Sequence, residues 1–173
     1  MKEQVERALE GRAYEYAVIP TSALTFSPEL FKACEANTCG NYNRSWSCPP
    51  AVGTLEKQRE KILAYERAFV FTTKYDLEDS FDIEGMASAR DIHNELTMDI
   101  HRQFGKNNPV YGAGGCSVCE RCAYPEPCRF PDRMISAVEA AGINVTELSR
   151  IAKVKYNNGP NTVTYFSMLL FNE

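Results

Sequence analysis

Ala68-Phe69-Val70-Phe71-Thr72-Thr73-Lys74-Tyr75 is mostly apolar, rich in β-branched and aromatic side chains, and free of Gly and Pro. A run of this composition reads as a strand. On its amino-terminal side, Thr54 is placed to cap a helix running to about Arg67, with Leu55, Ile62 and Leu63, and Tyr65 nearby, turned toward a core. On its carboxy-terminal side, Met86, Ala89, Ile92, Leu96, Ile100 and Phe104 recur every three or four residues. That spacing predicts an amphipathic helix over 84–104.

Working outward, Arg12 to Ile19 alternates loosely and stops at Pro20, as a strand would. Ser27-Pro28-Glu29 has the N-cap and first-turn proline of a short helix that ends near Cys34. Pro109-Val110-Tyr111 reads as a short strand running into the Gly112–Gly115 turn. Pro131 reads as the start of a helix bearing Met134, Ile135, Val138 and Ala141, stopped by a left-handed Gly142. Ile143 to Val145 reads as a brief extended piece, followed by a helix near 146–153. Val163 to Phe171 comes after the Asn157-Asn158-Gly159-Pro160 turn as a buried strand. Strands and helices alternate, which predicts an α/β or α+β fold: a single layered domain over residues 1–173, with a central sheet, helices and two cysteine-rich loops.

A chain of 173 residues with 44% apolar and 24% charged residues has the balance of one compact domain. Its net charge of -4 provides no general attraction to a polyanion, so nucleic acid is not an expected partner. The first ten residues are too charged for a secretion signal, and no segment has the length and apolarity of a membrane span. The expected compartment is the cytoplasm, where thiols stay reduced and seven cysteines point to metal or redox chemistry.

Four of the seven form Cys116-x2-Cys119-x2-Cys122-x5-Cys128. Three thiolates at this spacing can reach three corners of a four-iron, four-sulfur cubane while a fourth closes the last corner. Gly112, Gly114 and Gly115 would let backbone N–H groups approach the inorganic sulfides, and Arg121, Arg129 and Arg133 would offset the cluster's negative charge. Zinc competes for the same thiolates, although four-cysteine zinc sites more often join two separated C-x2-C pairs.

Of the other three, Cys39 and Cys48 lie within a loop over 37–53 that is dense in turn formers and also holds Trp46 and the Pro49-Pro50 pair, and Cys34 stands just before it. Three thiols would leave one iron of a cubane open to a substrate atom. The competing reading makes Cys34 a core residue and Trp46 a packing residue. His93 and His101 share one side of the long helix; the expectation is that they border its apolar face without a metal role.

The motifs Cys39-Gly40-x-Tyr42, Trp46-Ser47-Cys48-Pro49-Pro50, Gly115-Cys116-x2-Cys119-x2-Cys122 and Pro127-Cys128-Arg129-x-Pro131 resemble those of the cysteine-rich "predicted metal-binding protein" family of anaerobic bacteria and archaea. Thr162-x-Thr164-Tyr165 and Gly142-Ile143-Asn144-Val145 extend the similarity over most of the chain. The resemblance implies metal binding and an anaerobic setting, and carries no particular reaction. The sequence therefore leads to an iron-sulfur protein with a redox or electron-transfer role and a redox partner protein, its metal ligands drawn from Cys34, Cys39, Cys48, Cys116, Cys119, Cys122 and Cys128. The alternatives are an enzyme with an open iron on a three-cysteine cluster, and a zinc-stabilised binding module.

Overall fold

In the computed structural model, which describes residues 1–173, the run at 68–75 forms the middle of β2 (Arg67–Asp76). On one side β2 pairs antiparallel with β1 (Glu15–Pro20), and on the other with β5 (Thr162–Phe171). Next to β5 lies β3 (Val110–Gly112), also antiparallel, and β3 pairs in parallel with the two-residue β4 (Ser136–Ala137) at the edge. The strand order is β1-β2-β5-β3-β4, a mixed sheet that makes the fold α+β.

Both faces of this sheet are covered, which explains why β2 and β5 are apolar at successive positions rather than at every second one. Ala68, Val70, Phe166, Met168 and Leu170 face α3 (Leu55–Leu63) and α5 (Val145–Ala152), meeting Ile62, Leu148 and Ala152. Phe69, Phe71, Leu169 and Phe171 face α1 (Lys2–Leu9) and α4 (Ile83–Phe104), meeting Val5, Leu9, Leu96 and Ile100. Each fully buried side chain of this size contributes about 1.5–3 kcal/mol of transfer free energy.

Local signals set most helix ends. Ser27 Oγ accepts the Leu30 N–H at 3.0 Å ahead of α2 (Pro28–Ala33), and Thr54 Oγ1 accepts the Lys57 N–H at 3.3 Å ahead of α3. Asn144 caps α5 by accepting from the N–H groups of Thr146 and Glu147, so that helix starts at Val145 and leaves no separate extended piece. Gly142 adopts φ +78°, with Leu55 packed where a β-carbon would stand. The amino-terminal helix α1, anchored by Val5 and Leu9 one turn apart, is an element the sequence reading lacked.

Two expected helices also need correction. The helix after Thr54 stops at Leu63, not near Arg67, because the Glu66 carbonyl accepts the Thr21 N–H and draws the chain into extended pairing beside β1. No α-helix starts at Pro131. That segment is a 3-10 turn at Pro131–Arg133, then β4, then a second 3-10 turn at Glu139–Ala141. Pairing with β3, continued by the Val138 N–H to Gly112 O bond, takes the backbone groups that a helix would need.

α4 is tied to the sheet by a buried polar chain. Thr97 donates its hydroxyl to His93 O at 2.9 Å, so at 2.8 Å it must accept from Ser167. The Ser167 proton is thereby used, and His93 Nε2–H donates to Ser167 Oγ at 2.8 Å. This leaves Nδ1 to accept from the Thr73 hydroxyl at 2.7 Å. The imidazole is fully buried and neutral, and burial lowers its pKa from 6.5 to about 4. His93 thus lies inside the core and not at the helix border. A depressed histidine pKa gives stability that is complete above about 6.5 and drains away as pH falls toward 4. Urea unfolding should show roughly 3 kcal/mol of stability lost through this group between pH 7 and pH 4. The loss should shrink in His93→Gln, and parallel pH profiles for the two proteins would refute it.

Candidate metal centre

The first cysteine loop begins where α2 runs out. Cys34 opens a 3-10 turn, Cys34–Ala36, that ends at Asn37 in the left-handed conformation, φ 53°. Asn37 then ties down the next turn: its carbonyl accepts the Gly40 N–H and its side chain accepts the Tyr42 N–H, both at 3.0 Å. The Asn43 N–H closes the loop on Pro49 O at 2.9 Å. Cys39 is exposed on this loop, and Cys48 is buried at its end.

The second loop leaves β3 through Gly114, φ +70°, and locks onto the first. The Cys116 N–H donates to Ser47 Oγ at 2.9 Å. Trp46 donates its indole N–H to Glu126 O at 2.8 Å, and its ring meets Tyr124 edge-on at 5.1 Å. Tyr124 donates its hydroxyl back to Asn43 Oδ1 at 2.9 Å. From below, His101 Nε2–H of α4 holds Asp132 O at 2.8 Å, so the long helix positions this loop.

Cys116, Cys119, Cys122 and Cys128 line one narrow cavity of about 20 Å³, with Trp46 and Phe130 among its walls. Cys116, Cys119 and Cys122 also border an open groove of about 650 Å³ flanked by Arg44 and Arg121. Cys128 lines the inner space and does not border this groove. Burial pushes the Cys122 thiol up, but the N–H groups of Tyr124, Trp46 and Ala123 and the Ser45 hydroxyl outweigh it and hold the thiol below its ordinary range. An electron-rich sulfur is thus stabilised before any metal is considered.

The three remaining thiols do not line this cavity. Burial and then the neighbouring Cys39 and Glu139 push Cys34 up. Cys48 is also raised, by burial and by Cys39, Cys34 and Cys116, while the Ser47 hydroxyl, 3.7 Å from its sulfur, pulls the other way. Ser45 and Ser47, their hydroxyls 2.9 Å apart, connect the two thiol groups through Cys122 and Cys48. Sequence reading missed both serines, since a buried serine has no pattern that distinguishes it from a turn serine. Trp46 is the clasp between the loops and does not pack on the sheet. Of the three arginines, Arg129 lines the cavity and holds Arg121 O at 3.1 Å, while Arg133 stacks on Phe130. Gly115 allows close approach, because a β-carbon there would stand 3.1 Å from Asn41 Nδ2 and 3.7 Å from Cys48 Sγ. Neither histidine lines the thiol cavity.

All seven cysteines are free thiols, with no disulfide among them. Two interlocked loops that present soft sulfur donors, with hydrogen-bond donors aimed at them, are what a thiolate metal-binding protein requires. The chain belongs to the predicted metal-binding protein family DUF2284, whose model matches residues 17–171. No curated protein and no solved structure matches it. No helix is long and apolar enough to cross a membrane.

Ser47 is fully buried and makes the contact that joins the loops. Ser47→Ala leaves the Cys116 N–H without a partner and should lower unfolding stability by about 1–3 kcal/mol. Metal retained per chain should fall with it. Unchanged denaturation and unchanged metal content would show that the loops are held together elsewhere.

Proposed function

We propose that Cys116, Cys119, Cys122 and Cys128 hold a four-iron, four-sulfur cluster and that the protein passes electrons to a redox partner protein in a reducing, cytoplasmic setting. The observation that carries this reading is the placement of these four thiols around one cavity. A single zinc ion draws four sulfurs to about 2.3 Å from one point. The run of three thiols at C-x2-C-x2-C spacing is that of a cubane's ligands, whereas four-cysteine zinc sites more often join two separated C-x2-C pairs.

A four-iron cluster in this place supplies a reversible one-electron couple. The protein's own residues do the rest. The Ser45 hydroxyl and the N–H groups of Trp46, Ala123 and Tyr124 spread negative charge away from Cys122. Such hydrogen bonds raise a reduction potential. Phe130 and Met134 screen the inner side from water. The groove beside Cys116, Cys119 and Cys122 brings a partner's surface close to the thiolates, with Arg44 and Arg121 at its edge. Two arginines against Glu120 leave the groove's protein side chains net positive, which favours an acidic patch on that partner.

Protein prepared without air and with ample iron should be brown and contain iron and acid-labile sulfide in equal amounts. Cys119→Ala should remove most of that iron. Air should bleach the colour as iron is lost and thiols oxidise. A colourless anaerobic preparation with stoichiometric zinc and no sulfide would overturn this reading.

A further inference from the structure

After Asp76 closes β2, the chain crosses to α4 through Leu77-Glu78-Asp79-Ser80-Phe81-Asp82. Phe81 in this loop is 87% exposed and Ile83 beside it 70%, the two barest large apolar side chains of the protein. The backbone beneath them is nevertheless fixed. The Leu77 N–H donates to Asn161 O at 2.8 Å, and the Ser80 hydroxyl to Asn161 Oδ1 at 3.1 Å. Asp79 Oδ1 accepts the Phe81 N–H at 2.7 Å, and Asp82 accepts from the N–H groups of Gly85 and Glu78 at 2.8 and 3.2 Å. An aromatic side chain held out to solvent on a braced loop loses little freedom on docking, which is the property of an interface anchor.

Charge narrows what the anchor can meet. Glu78, Asp79, Asp82 and Glu84 flank Phe81, no Lys or Arg lies between Lys74 and Arg90, and none of the four carboxylates is in an ion pair. A polyanion or an anionic membrane is repelled by such a loop. A groove with basic edges and some apolar surface suits it. The groove beside Cys116, Cys119 and Cys122 has both, since Tyr124 and the sulfurs offer contact to a phenyl ring, and Arg44 and Arg121 stand at its edge. Neither arginine is in an ion pair within the chain.

Topology brings loop and groove to one end of the molecule. β2 and β3 both pair antiparallel with β5 and therefore run the same way, so the loop after Asp76 and the cysteine loop after Gly112 leave the same end of the sheet. A β-carbon on Gly114 would stand 3.6 Å from Arg90 Cδ, about two turns into α4. With anchor and groove at one end, two copies can exchange them around a single twofold axis, which closes the assembly at a dimer.

We propose that the protein pairs with a second copy of itself, the 77–84 loop of each copy seating Phe81 in the groove of the other and setting its carboxylates against Arg44 and Arg121. The acidic patch that the groove favours is thus carried by the chain itself. Each copy covers the other's thiols, and any different acidic partner has to displace it. The inference rests on the iron-sulfur reading for what lies under the groove, and not for the docking.

The test uses the full chain, prepared without air, in sedimentation velocity over a wide range of concentration. Wild type should pass from monomer to dimer as concentration rises, and added salt should move it back. Phe81→Ser should weaken the dimer by about tenfold or more, and so should Arg44→Glu with Arg121→Glu. Glu78→Lys with Glu84→Lys should also weaken it, and all four reversals in one chain should restore it. These five positions are exposed, and circular dichroism checks the fold of each variant.

Wild type that stays monomeric at every concentration would overturn the inference and leave the loop to a different protein. A dimer that neither Phe81→Ser nor the arginine reversals weaken would put the contact on another surface and overturn it too. Failure of the combined reversals to restore what each pair removes would break the match of loop with groove. Iron and sulfide are counted on the same samples. An iron-bearing monomer sinks this inference alone, and a dimer without iron sinks the iron-sulfur reading alone.

Discussion

Ten consecutive residue pairs join β2 to β5, from Arg67 with Phe171 to Asp76 with Thr162. Everything else is placed by that ladder. It turns Phe69, Phe71, Leu169 and Phe171 to one side and Val70, Met168 and Leu170 to the other, so helices must cover both. It also sets Thr73 and Ser167 on the face that receives His93, and a one-residue slip would swap them for their neighbours on the opposite face. The polar chain through His93 therefore fixes the register at a position where apolar contacts alone would be permissive. That chain also fixes α4, whose His101 holds the second cysteine loop.

The proposed metal site is consequently held by two kinds of support. From the sheet side, β3 delivers the chain to Gly114 and Cys116, and β4 receives it again after Arg133. From the opposite side the first loop meets it through Trp46, Tyr124 and Ser47. Neither loop is regular structure, yet each is closed by side-chain to backbone bonds. Such closure gives a thiolate site its shape without relying on metal to create it.

The parts of the fold that could be read in the sequence were those whose signal is periodic or chemically distinctive. The long helix over 84–104 and the run at 68–75 lie where expected because their burial patterns extend over many residues. Pro131 misled, because proline at a first turn suits a 3-10 turn as well as a helix, and the apolar positions Ile135, Val138 and Ala141 are buried by a turn–strand–turn path instead. The amino-terminal helix was hidden by its charge, with only Val5 and Leu9 reaching the core. The cysteines announced themselves by spacing. Ser45 and Ser47 could not, since their meaning lies in neighbours distant along the chain.

β5 comes after all seven cysteines in the chain, although β2 and β3 both depend on it. Synthesis proceeds from the amino end, so every thiol leaves the ribosome before the strand that organises the sheet. For that interval the nascent protein carries loose sulfur donors with no loops to sort them. Metal arriving then would be captured in arbitrary combinations, whereas metal arriving after β5 has paired meets formed loops. The order of elements along this chain therefore leaves the two cysteine loops without their framework until the last strand has paired.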